Sequence, residues 1–186
     1  GNSIRTARAD LLREAQLSLD VMLRDVRLSA DAETNNRIVD VNSPNAGGTG
    51  GLGWESTDST LVLATAAENT SDEIIFADAG HYTTEKNNII YYVNSSTLYK
   101  RTLAADLVDN EMTTSCPPAL ADADCPADRL SVAYVQSLVF RYYDTTNAEV
   151  PPANARSIEA TLILQKTKFG RDITVNYSTR MVFRNE

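Results

Sequence analysis

The sequence predicts an α+β domain, a long N-terminal helix packed on antiparallel β-sheet, and two observations carry that prediction. Residues 1–30 contain no proline, and no glycine after Gly1, and they are rich in Ala, Leu, Arg and Glu. From Asp31 onward, short β-branched and aromatic runs alternate with turn residues. A helix first and strands after it segregates the two kinds of element instead of alternating them, which is the α+β pattern. With 186 residues the chain has room for one ordinary domain that buries its own core. Residues 1–30 therefore read as an amphipathic helix, and 31–186 as a β-rich globular lobe with no internal linker.

The helix runs from about Ile4 to Ala30. Leu12, Ala15, Leu19, Met22 and Val26 recur three and four apart with Leu11 and Leu23 beside them, while Arg13, Glu14, Asp20, Arg24 and Arg27 take the other side. At about 1.5 Å per residue it is roughly 40 Å long, so Ile4–Asp10 is expected to project beyond the lobe. On that reading Leu19, Met22 and Val26 form the helix-to-sheet core. Ile4, Leu11 and Leu12 lie too far from the sheet and meet a partner helix instead.

Strands are expected at Arg37–Val41, Ser59–Thr65, Glu73–Phe76, Asn88–Val93 and Ser96–Thr102, then at Ala133–Tyr142, Ser157–Lys166 and Asp172–Phe183. NNIIYYVNSSTLYKRTL reads as a hairpin turning at Asn94 and Ser95. Ser157–Leu162 alternates polar and apolar residues as a half-exposed antiparallel strand does. The glycine-rich NSPNAGGTGGLG and the stretch Tyr142–Ala155, with Pro151-Pro152, read as loops.

Composition removes several function classes. A net charge of −8 repels phosphate backbones, so a nucleic-acid partner is not expected. No apolar run approaches the roughly 18–20 residues needed to cross a bilayer. Gly48–Gly53 spells GTGGLG, but the residues after Gly53 read as turn and strand, and a dinucleotide fingerprint requires a helix there. No cofactor is expected. His81, the single histidine, falls in a loop, which leaves no zinc-protease motif and no obvious triad. The acidic pairs at Asp72-Glu73 and Asp109–Glu111 read as solvated, so no catalytic residue is assigned. Cys116 and Cys125 bound a proline-containing loop and read as a disulfide, with two free thiols or half of a metal site as the alternatives. Asp122, Asp124 and Asp128 offer oxygen ligands without the EF-hand spacing, so a solvated acidic loop is preferred to a calcium site and no metal is assigned.

Three passages together resemble the type IV pilin-like superfamily, in particular minor pilins of the PilW type and the J-type pseudopilins of type II secretion. AQLSLDVMLRDVRLSA, Ala15–Ala30, is similar to their helix where it ends in Arg24-Asp25-Val26-Arg27. IIYYVNSSTLYKRT is similar to their Tyr-rich hairpin. RSIEATLILQK through YSTRMVFRNE looks like their last two strands. The resemblance implies a non-enzymatic fibre subunit, acting in assembly or priming of a pilus or pseudopilus. Its helix would pack on other pilin or pseudopilin subunits. An inner-membrane anchor with a methylated N-terminus would lie upstream of this sequence, and the lobe would stand in the periplasm or the extracellular fibre. Two other classes remain: an extracellular module recognising carbohydrate or protein through Tyr91, Tyr92 and Tyr99, and a hydrolase built on acidic pairs.

Overall fold

A computed structural model describes residues 2–43, 51–68 and 82–184. Helix α1 (Asn2–Arg27) buries Leu11, Ala15, Ser18, Leu19, Met22, Asp25 and Val26, a stripe at the three-and-four spacing of one helix face. Arg24 and Arg27 occupy its last turn, where cations suit the negative end of the helix dipole. The helix closes earlier than the composition suggests. The Leu28 amide and the Ser29 hydroxyl both donate to the Asp25 carbonyl, at 3.2 and 2.9 Å, and the chain passes straight into a strand.

That strand, β1 (Ser29–Ala32), opens a five-stranded sheet with β2 (Leu61–Glu68), β3 (Tyr82–Asn94), β4 (Thr97–Leu103) and β5 (Arg129–Val132). Strands β6 (Val135–Tyr143), β7 (Ser157–Lys168) and β8 (Arg171–Val182) form a second sheet. Every neighbouring pair is antiparallel, and spatial order follows chain order in both sheets. The helix packs along β8 and β7 and reaches β1, β2 and β5 of the larger sheet. One apolar core joins all three layers: Leu11, Leu19, Met22 and Val26 of α1, Leu63, Ile89 and Leu98 of the larger sheet, and Ile158, Leu162, Ile173 and Met181 of the smaller. The protein is thus α+β with an N-terminal helix on antiparallel sheets.

Four sequence expectations change. The amino end of α1 does not project beyond the sheets, because twelve-residue strands at about 3.3 Å per residue match a 26-residue helix in length. Leu11 is consequently 3 % exposed inside the protein's own core, and Ile4, Ala7 and Leu12 pack against that core. Arg37–Val41 is not a strand. Buried Asn88 of β3 replaces a ladder partner, its Oδ1 accepting the amides of Arg37 and Ile38 at 2.7 and 3.0 Å. The β3–β4 turn is Ser95-Ser96, one residue later than expected. Both residues have positive φ, at 49° and 61°, as a two-residue hairpin that follows the strand twist requires. The edge strands β1 and β5 were not expected, each being only four residues long. Glu73–Phe76 lies outside the described residues.

Candidate functional site

Strand alternation sends Tyr91 of β3 toward α1 and Tyr92 to the opposite face of the sheet. On that far face Arg101 of β4 stands two residues along from Tyr99, the cross-strand partner of Tyr92. The face is covered by irregular chain: the strap containing Asp40 and Trp54, and the cysteine loop leading to Asp128.

Arg101 is 2 % exposed and fully engaged. Its Nε and Nη2 donate to Asp128 Oδ2 at 3.0 and 2.7 Å, and its Nη1 donates to Asp40 Oδ2 at 2.9 Å and to the Asn42 carbonyl at 3.3 Å. Asp128 also accepts from the Tyr92 hydroxyl, and from Ser115 Oγ at 2.7 Å. Asp40 accepts the Trp54 indole N–H at 2.7 Å. The guanidinium carbon lies 5.2 and 5.3 Å from the ring centres of Trp54 and Tyr92, within cation–π range. Burial alone would weaken the guanidinium's hold on its proton. The Asp128 and Asp40 carboxylates outweigh it and raise the Arg101 pKa. Burial, then the bond to Asp128, pushes the Tyr92 phenol up as well. At neutral pH this phenol is therefore a fixed donor and not a base.

The disulfide Cys116–Cys125 is formed. It closes a loop whose backbone is latched beside Asp128: the Cys116 amide donates to Pro126 O at 2.9 Å, and the Asp128 amide to Cys116 O at 2.7 Å. The loop delivers a carboxylate to the guanidinium. That placement separates the three aspartates read as a group in the sequence. Asp128 is buried against Arg101, whereas Asp122 and Asp124 are exposed, and Asp122 Oδ1 accepts the amides of Asp124 and Cys125, both at 2.9 Å. Among the described residues, no three His, Cys, Asp or Glu side chains are gathered to hold a metal.

Beside this cluster a groove of about 390 Å³ opens to solvent, lined by Asn42, Trp54, Thr60, Tyr92, Asn94 and Pro117 among others. On the helix side of the same sheet, buried Asp25 accepts from the Tyr91 hydroxyl and pairs with Lys100 Nζ at 2.7 Å, tying α1 to β3 and β4. Burial first, then Asp25, raises the Tyr91 pKa. Leu19, Met22 and Val26 are fully buried beneath the helix. Outside it, Leu17 and Leu130 are 54 % and 57 % exposed and share a shallow hollow with Val21 and Ser131.

The three tyrosines do not make one surface, since Tyr91 belongs to the core while Tyr92 and Tyr99 stack on the far face at 5.6 Å. Asp109 and Glu111 are exposed, and His81, Asp72 and Glu73 lie outside the described residues. Of the GTGGLG match, Gly48–Gly50 also lie outside them. Gly51 has a φ of +92°, and a Cβ there would stand 2.4 Å from Val39 Cγ1. No helix starts after Gly53, and Gly51 serves a close approach to Val39 and Asp40. Sequence reading missed Asp40, Trp54 and Arg101 altogether. Asp25 carried a signal, for it continues the three-and-four spacing of Leu11, Ala15, Ser18 and Met22 on the apolar side of the helix, and a charge in such a stripe requires a buried partner. Neither a protein-family model nor a curated protein matches this sequence.

Proposed function

We propose that this protein is a structural subunit of the minor pilin or J-type pseudopilin kind, acting in assembly or priming of a type IV pilus or a type II secretion pseudopilus. The observation that carries the reading is α1 itself: a 26-residue helix that buries one face on a two-sheet lobe and leaves the other along its whole length to solvent. Repeated side-by-side contact of such helices generates an open fibre, which needs no catalytic group. The subunit contact proposed here is the outward row Arg13, Leu17, Asp20 and Arg24, with Leu130 beside it; Ile4 and Leu12 pack against the protein's own core and lie off that row. Leu11 is excluded by its burial.

In the host that encodes the protein, Leu17→Glu is expected to abolish fibre assembly or secretion. The isolated domain should keep its stability within about 0.5 kcal/mol, as for a surface position. Normal assembly with Leu17→Glu, or a reading frame without a processing glycine and an apolar segment upstream, would refute the proposal. The far-face groove favours a second reading, a carbohydrate- or protein-binding module centred on Tyr92 and exposed Asn94, with Tyr99 stacked on Tyr92. Glycan-array binding lost in Asn94→Ala would support that reading.

A further inference from the structure

We propose that the β7–β8 hairpin tip is a contact site for the surface of an anionic lipid bilayer. The tip is a two-residue turn, Phe169-Gly170, with φ of 54° and 70°. Asn and Gly ordinarily fill such turns, because a bulky side chain is disfavoured at positive φ. Phe169 nevertheless stands there 63 % exposed, with the Lys168 ammonium 5.6 Å from its ring centre. Tyr134 repeats the arrangement a short way behind. It has a φ of 62°, is 45 % exposed, and carries Lys166 Nζ 4.7 Å from its ring. Its carbonyl accepts the Gln165 amide at 2.9 Å, which holds it against β7. Two exposed aromatics in a disfavoured backbone region, each capped by a lysine, gain little from packing. Strain kept at such positions points to a role outside the fold.

Charge at this end runs against the rest of the molecule. Lys166 and Lys168 stand beside Ala7 and Leu11 of α1, Arg5 and Arg8 flank Ala7 in the chain, and Arg171 follows directly after the turn. The hollow shared by Ala7, Leu11, Lys166, Lys168 and Ile173 fixes that proximity. The acids nearby are Asp10, Glu14 and Asp172, in a chain whose net charge is −8. Rings with ammonium groups alongside are the chemistry of the membrane–water interface: the ring enters the headgroup boundary while the lysine reaches phosphate. The shape favours a bilayer over a protein. A stable protein partner needs about 800 Å² of matched surface per side, whereas a convex hairpin tip can press into a yielding headgroup layer. Lipid contact at the tip is independent of fibre formation.

The test is flotation of the purified chain with vesicles of equimolar phosphatidylglycerol and phosphatidylcholine, against phosphatidylcholine alone. Binding is expected only to the anionic vesicles and should weaken as salt rises. Lys168→Glu with Arg171→Glu should lower partitioning by about tenfold or more. Phe169→Asn is the discriminating variant: partitioning should fall by about fivefold, while the melting temperature holds or rises because Asn suits the turn. Equal binding to both vesicle types, or unchanged partitioning in the variants, would overturn the proposal. So would tip-dependent self-association in light scattering without vesicle binding, which would assign the tip to a second, acidic copy of the chain.

Discussion

The two faces of the five-stranded sheet are buried by opposite means. On one, Leu61, Leu63, Ile89, Tyr91 and Leu98 meet α1, whose backbone polar groups are already satisfied within the helix, so apolar side chains suffice over most of the contact. On the other, Val62, Ile90, Leu103 and Tyr92 are covered by chain without regular structure, which contributes Trp54. Such a cover brings backbone groups that have no ladder, and buried side chains must supply their partners. Asn36 donates to the Ile38 and Gly51 carbonyls at 2.8 and 2.9 Å and accepts the Trp54 amide at 3.0 Å. Arg101 takes the Asn42 carbonyl, and its two aspartates pin strap and cysteine loop to the sheet. A helix can be held largely by shape, but irregular chain needs addressed polar bonds.

The largest test of that contrast is Asp128→Ala. The carboxylate is wholly buried, so its removal strands the Arg101 guanidinium and should cost about 3–5 kcal/mol in urea denaturation. Replacing both partners, Arg101→Met with Asp128→Leu, should restore much of the loss, because the penalty belongs to an unpaired buried charge. A loss under about 1 kcal/mol in Asp128→Ala would mean that water already reaches the pair. A smaller effect is expected from Cys116→Ser with Cys125→Ser, about 2–3 kcal/mol for so short a loop. Its position matters more than its size. Hydrogen exchange should accelerate at the Cys116 and Asp128 amides while the α1 amides keep their protection. Uniform acceleration would show that the two faces open together.

The same contrast explains what the sequence revealed. Periodicity exposed α1 and the long strands, because a face packed on regular structure repeats its apolar residues at a fixed interval: Leu19, Met22 and Val26, or Ile158, Ala160 and Leu162. The far-face cluster repeats nothing. Asp40, Trp54, Arg101 and Asp128 come from four separate stretches and meet only through long-range closure. In the sequence, Asp128 could be grouped only with its acidic neighbours. Length reasoning failed for Leu11 and Leu12 for a related reason, since it set the helix against an average domain width and not against the twelve-residue strands β7 and β8 beneath it.

The smallest prediction uses one carboxylate-bound phenol from each face. Burial and a carboxylate raise the pKa of both Tyr91 and Tyr92 above the value near 10 of an unfolded tyrosine. A group raised on folding gives stability that is complete below its unfolded pKa and is lost as pH climbs past it, because the unfolded chain then releases a proton that the folded one retains. Each phenol should therefore remove about 1.4 kcal/mol per pH unit above about pH 10, and Tyr91→Phe or Tyr92→Phe should each flatten the alkaline slope by that amount. The faces should differ in how the proton leaves. Beneath the helix, Tyr91 should show tyrosinate absorbance only with global unfolding. Behind the loops, Tyr92 should show it earlier, through local opening of the strap and cysteine loop. Simultaneous titration of the two would mean that irregular cover, once its polar bonds are made, is as tight as a helix.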